Sequence, residues 1–177
     1  KMQELGYHIE IYCYCSEPKI MDHLSDEIKY LSRPSHLDSD ETKGIDIYLE
    51  FIKHIDADIY GLVHATSPFI SCKSMIKGLI PVINGVNDSS FSVSKIQTFC
   101  WFKGKPLNYN LTNIPQTQMM TPVFYETSAF YIFQKHIIST HNRRIGFNPL
   151  QIQTNRIESI DIDEQSDYDL CCAIVNK

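Results

Sequence analysis

The sequence has 177 residues, 43% hydrophobic and 21% charged, an ordinary globular composition with enough apolar material for one sizeable core and one domain. Its formal charge of −5, from 16 Lys and Arg against 21 Asp and Glu, comes with no basic run able to neutralise a phosphate backbone, which argues against nucleic acid as a partner. There is no stretch of about eighteen apolar residues and no apolar centre in Lys1 to Gly6, so neither a membrane span nor a signal peptide is expected, and the expectation is a soluble, cytoplasmic protein.

In chain order, Tyr7 to Tyr14 is a β-branched and aromatic run that predicts a strand. Pro18, at a first-turn position, opens a short helix through Leu24, and a second strand is expected near Ile28 to Leu31. Apolar residues three and four apart predict an amphipathic helix over Gly44 to Ile55. Ile59 to Val63 is nearly unbroken apolar sequence and predicts a strand covered on both faces. A helix over Lys73 to Ile83, a strand at Phe91 to Ser94, a hairpin at Trp101 to Pro106, a long strand over Val123 to Phe133 and a closing helix over Glu164 to Val175 follow. Helices alternating with buried strands predict a doubly wound α/β domain. The polar, irregular stretch after Lys95 reads as an insertion suited to substrate contacts or an oligomer interface.

The six cysteines contain no two-residue-spaced pair that could open a zinc site, and are expected to be reduced, mostly buried thiols. His23, His54, His136 and His141 have no metal-like spacing, and Arg143-Arg144 reads as a surface pair.

Three segments carry chemistry. Asp161 and Asp163 stand two positions apart, so an extended backbone projects both from one face, where two carboxylates can hold Mg²⁺ against a substrate phosphate; the bland alternative is a loop acid followed by a helix cap. His64, Thr66 and Ser67 follow a buried strand, where open α/β sheets bind ligands, and offer a ring nitrogen and two hydroxyls. Arg33-Pro34, with the acidic run from Asp38 to Thr42 and Gly44 at a helix start, pairs a cation with a helix N-terminus and suits phosphate; an ordinary ion pair and an N-cap cluster are the alternatives. Glu126 is an acid within a strand-like run, either facing solvent or directed into a polar pocket.

Taken in order, these segments resemble the acylneuraminate cytidylyltransferase (CMP-sialic acid synthetase) family, from about Ile9 to Val175. The matching motifs are Arg33-Pro34 through Gly44, Thr66-Ser67-Pro68, and Ile160-Asp161-Ile162-Asp163 with Asp167; His64 stands where the family usually has Gln. A bacterial subgroup from surface-polysaccharide pathways looks closer still, on His64 to Ile70, Lys105 to Tyr109, Pro122 to Phe133 and Arg143 to Gly146, with Gln116 and Met119 as departures from it.

The resemblance implies a Rossmann-like nucleotidyltransferase three-layer α/β sandwich with a mainly parallel sheet and a β-hairpin insertion. It implies one cytidylyltransferase-like domain over 1–177, with 97–121 as the insertion and a dimerisation element in which Trp101, Phe102 and Met120 would pack against a second chain. The implied reaction joins CTP to an acidic nine-carbon sugar, giving CMP-sugar and pyrophosphate. Asp161 and Asp163 would be catalytic and hold Mg²⁺; Arg33, Thr42, Gly44 and His64 would face the nucleotide; Thr66, Ser67, Gln118 and Glu126 would face the sugar. A homodimer with no nucleic-acid or membrane partner is expected. The family opens with a strand and a phosphate-wrapping loop that has no counterpart before Lys1, so a truncated, non-catalytic sugar- or partner-binding module of the same fold is the alternative.

Overall fold

A computed structural model describes residues 6–176, which divide into two compact units, one up to Asp56 and one from Ala57 onward. In the first unit, strand β1 (Ile11–Cys15) pairs in parallel with β2 (Ile28–Ser32), joined through a 3-10 helix, Pro18–His23. Helix α1 (Gly44–His54) follows, and its Phe51 ring meets the rings of Tyr12 and Tyr14 edge-on. The apolar stripe that predicts this helix is therefore the face turned to β1.

The second unit runs β3 (Ile59–Val63), α2 (Cys72–Ile83), β4 (Ser89–Ile96), the small hairpin β5 (Trp101–Phe102) and β6 (Lys105–Pro106), β7 (Val123–Gln134), α3 (Lys135–Ser139), β8 (Pro149–Gln153) and α4 (Gln165–Val175). Its main sheet has the order β3-β7-β4-β8. Because β7 is antiparallel to both β3 and β4 while β8 is parallel to β4, three strands share one direction and β7 opposes them.

The core lies where α2 meets the middle of this sheet. Val82, Phe130, Ile132 and Ile152 are buried together, with Ile70, Met75 and Leu79 packed around them. Each such side chain contributes roughly 1.5–3 kcal/mol on burial, before conformational entropy is set against it. Gly78 lets α2 approach closely: a Cβ there would stand 2.6 Å from the Ser90 hydroxyl and 3.0 Å from the Phe130 ring.

Several expectations are corrected. Strand β1 starts at Ile11 rather than Tyr7, and β8 and α3 went unforeseen. Strand β3 is not covered on both faces: Gly61 and Val63, which share one face, are exposed, and its outer edge carries no strand among the described residues. Of the six cysteines, all free, only Cys171 is buried and Cys72 is exposed. Met120 is buried within its own chain rather than presented to a second one. No helix among the described residues is long and apolar enough to cross a membrane.

Candidate active site

The carboxyl end of β3 is the organising point of the second unit. The β3–β7 ladder continues one step past the strand, His64 N–H donating to the Ala129 carbonyl, and the chain then turns back with Ser67 N–H bonded to the His64 carbonyl. This turn meets the segment carrying the paired acids. Ile162 N–H donates to the Thr66 carbonyl at 2.9 Å, and the Ser67 hydroxyl, on a residue only 2% exposed, lies 3.5 Å from Asp161 Oδ1. Two segments nearly a hundred residues apart thus share one end of the sheet.

The acidic segment is fixed on both sides. Upstream, buried Glu158 accepts from the hydroxyls of Ser71 and Ser74, from Ser71 N–H, and from Asn155 N–H and side-chain amide, which ties residues 155–158 to the N-terminus of α2. Burial alone would raise its pKa, but these donors hold the Glu158 carboxyl below its ordinary value. Downstream, Asp167 accepts from the N–H groups of Asp163 and Glu164 and so serves the start of α4. Glu164 stands at the cap position, so the helix-cap alternative for Asp163 is set aside and its carboxylate takes no part in the capping.

Strand β7 brings a third group of side chains. Between Phe91 and Val93 the β4–β7 register slips: the step from Phe91 to Val93 on β4 is matched by the stretch from Tyr131 to Glu126 on β7, and Ser128 inside the slip has φ 58°. In a regular strand residues five apart face opposite sides. The bulge cancels that alternation, so Tyr131 Oη donates to Glu126 Oε2 at 2.7 Å and lies 3.4 Å from the Ser128 hydroxyl. A non-glycine residue in the left-handed region is locally costly, and such positions gather at functional sites.

Tyr131 joins this group to His64, their rings 6.3 Å apart. The guanidinium of Arg144 lies over the Tyr131 ring at 4.0 Å, with its Nη2 3.6 Å from Glu126 Oε2. Desolvation holds the His64 imidazole below its ordinary pKa; Asp161 opposes that shift and Arg144 adds to it. The Tyr131 phenol is raised, chiefly by burial. The cluster therefore combines an imidazole of lowered pKa, hydroxyls, two acids and a cation around one strand end.

The site residues expected from the sequence fall as follows. His64, Thr66, Ser67, Asp161, Asp163 and Glu126 belong to the second unit, and the contacts above link His64, Thr66, Ser67 and Asp161 at one strand end, with Glu126 joined through Tyr131. Gln118 sits on an exposed 3-10 turn, Thr117–Met119, bonded to Gln116. Arg33, Thr42 and Gly44 belong to the first unit. There Arg33 donates through Nε and Nη2 to Asp38 Oδ1, at 3.1 and 2.6 Å, which is the ion-pair alternative, and Lys43 rather than the acidic run stands at the cap of α1. Tyr131 and Arg144 escaped the sequence reading; two adjacent arginines carry no local mark that separates a site residue from a surface one.

An Mg²⁺ ion fits what Asp161 and Asp163 offer. Mg²⁺ favours hard oxygen ligands and is commonly held by one or two carboxylates with substrate phosphates and water. The described residues contain no grouping of three or more His, Cys, Asp and Glu that would form a closed protein cage. A shallow depression of about 420 Å³ lined by Asp58, Val82, Lys135 and Ser139 lies at the other end of β3, away from this chemistry.

This α/β arrangement is a Rossmann-like fold, the one found in the nucleotidyltransferases it matches among solved structures. Among solved structures, 4-diphosphocytidyl-2C-methyl-D-erythritol synthase from Anaerococcus prevotii matches with TM-score 0.67 and 13% identity over 99% of this chain and 85% of that one. CMP:2-keto-3-deoxy-manno-octonic acid synthetase, solved with CTP, matches with TM-score 0.67 and 12% identity over 95% and 81%. The bifunctional IspDF of Campylobacter jejuni matches with TM-score 0.62 and 10% identity over 90% of this chain and 41% of that one. The sequence matches no family model.

Proposed function

We propose that the protein is a cytidylyltransferase that joins CTP to a sialic-acid-like sugar acid, releasing pyrophosphate. The observation that carries this reading is the convergence of His64, Ser67 and Asp161 at the carboxyl end of β3, in a fold it shares with a synthetase solved with CTP. Such a site works by aligning the sugar hydroxyl with the α-phosphorus and offsetting charge on the departing pyrophosphate. Asp161 and Asp163 would hold Mg²⁺, which supplies that charge neutralisation when bound. His64, its imidazole pKa lowered by burial, is assigned as a hydrogen-bonding group toward base or ribose, and Thr66, Ser67, Gln118 and Glu126 are assigned to the sugar.

For the first unit, the nucleotide contacts of Arg33, Thr42 and Gly44 form a proposal of their own, tested by the effect of Arg33→Ala on KM for CTP. We assign the outer edge of β3, which carries no strand among the described residues, to a strand leading into a phosphate-holding loop. We place a homodimer contact on residues 97–121, where Trp101, Leu111, Ile114 and Met119 are each more than half exposed.

The test is pyrophosphate release from CTP by the full-length gene product with N-acetylneuraminate and other nonulosonic acids. Metal-dependent release that Asp161→Ala abolishes is the expected result. Absence of release with every acid tried, in a folded protein, would leave the non-catalytic binding module, which the Arg33–Asp38 pairing also suits.

A further inference from the structure

Arg143 and Arg144 are adjacent but differently employed. Arg143 is spent locally, its guanidinium over the Phe147 ring at 4.7 Å and its Nη2 donating to the Gly146 carbonyl. Arg144 lies against Tyr131, one third exposed, and its nearest acid, Glu126, is 3.6 Å away, too far for a hydrogen bond. Arg33 shows the contrast, with two of its N–H groups given to one carboxylate.

The loop that carries Arg144 is held firmly. Asp88 Oδ2 accepts from the N–H groups of Phe147 and Asn148 at 2.6 and 2.9 Å, and the Ser89 hydroxyl accepts from Gly146 N–H at 2.8 Å. Gly146 is required for this closeness, since a Cβ there would fall on the Asp88 carboxylate. Asn142 N–H and Arg143 N–H bond the Ile138 and Ile137 carbonyls on the other side. The guanidinium is thus pre-positioned beside the His64 imidazole, and its planar fork of donors makes no hydrogen bond to a protein acceptor among the described residues.

We infer that Arg144 recognises the anionic group of the acceptor substrate, with Glu126 as the internal counter-ion that the substrate anion displaces. The inference rests on the cytidylyltransferase reading for the identity of the acceptor, but concerns a subsite of its own. A carboxylate or phosphate can take two parallel N–H···O bonds from a guanidinium. An uncharged acceptor would gain nothing from the fork. Glu126 would repel an acidic substrate, and Arg144, 3.6 Å from it, is the cation that reverses that balance.

Calorimetry on the full-length protein, without CTP, tests the subsite independently of turnover, using N-acetylneuraminate, its methyl ester and inorganic phosphate as probes. Binding of the free acid is expected to weaken at least tenfold in Arg144→Gln, less in Arg144→Lys, and to tighten several-fold in Glu126→Gln, with the ester weak throughout. If phosphate rather than the acid shows this pattern, the subsite recognises a phosphorylated acceptor. Unchanged affinity for both anions in Arg144→Gln, or no binding of either to the unaltered protein, overturns the inference. Circular-dichroism melts confirm that the variants fold. Arginine-dependent acid binding in a protein that releases no pyrophosphate would keep the subsite and remove the enzyme reading. Turnover indifferent to Arg144 would do the opposite.

Discussion

The Glu158 carboxylate accepts a hydrogen bond from the Ser74 hydroxyl at 2.7 Å across 84 positions of sequence. It also binds Ser71 and Asn155, so one buried acid joins the start of α2 to the segment that leads into Asp161. Removing it leaves the buried Ser74 hydroxyl and the half-buried Ser71 without their acceptor.

We expect Glu158→Ala to lower unfolding free energy by about 2–3 kcal/mol, the cost of leaving buried polar groups unpaired. Glu158→Gln should cost less. The Glu158 pKa is lowered on folding, so its contribution is present above the unfolded value of about 4.5 and is lost as pH falls through the folded value. Urea melts from pH 7 to pH 3 check this: the gap between wild type and Glu158→Gln should narrow toward acid, and a constant gap counts against the assignment.

Gly146→Ala should be disproportionately costly for so small a change. The added methyl meets Asp88, which cannot withdraw without releasing the N–H groups of Phe147 and Asn148. Overpacking of this kind costs roughly 1–3 kcal/mol. The chemical shifts of Arg144 Nε–H and Tyr131 should move in the same variant, whereas Gly85→Ala, in open space although at φ 68°, should disturb stability but leave those signals in place.

Which of these features could be seen in the sequence depended on how local their causes are. The strand Ile59–Val63 and the helix from Gly44 announce themselves by composition and spacing over a few residues. The two acids and the turn at Thr66-Ser67 stand out in the sequence only in combination and by resemblance to a family's motifs, whereas the 3.5 Å approach of Ser67 to Asp161 is visible only in the fold. Strand β8, Pro-Leu-Gln-Ile-Gln, was not: it is an edge strand with polar residues outward, so its sequence resembles a loop. The insertion of β7 antiparallel between β3 and β4 depends on pairings far apart in sequence, and so does the bulge that turns Glu126 toward Tyr131. Arg144 acquires its character only from that bulge and from Asp88.

Residues 97–121 offer a test of assembly. Trp101 is 57% and Ile114 61% exposed, and large apolar groups left in water on one segment favour association. Light scattering over a concentration series should give a dimer mass for the unaltered protein and a monomer mass for a Trp101→Glu, Ile114→Glu double variant. A monomer at every concentration up to the solubility limit would dispose of the proposed contact.

The last expectation uses His64 as a reporter of the site's electrostatics. Its pKa is lowered by burial, further lowered by Arg144 and raised by Asp161, so the two charges act on the ring with opposite sign. In a metal-free sample the imidazole titration followed by NMR should have its midpoint below the ordinary 6.5. Arg144→Gln should move that midpoint up and Asp161→Asn should move it down. Since the unfolded chain binds the proton more tightly, the contribution to stability is full above about pH 6.5 and declines as pH falls toward the folded midpoint. Shifts of the same sign in both variants would mean that Arg144 and Asp161 do not face His64 as described, and the geometry of the candidate site would then have to be redrawn around Ser67 and Asp161 alone.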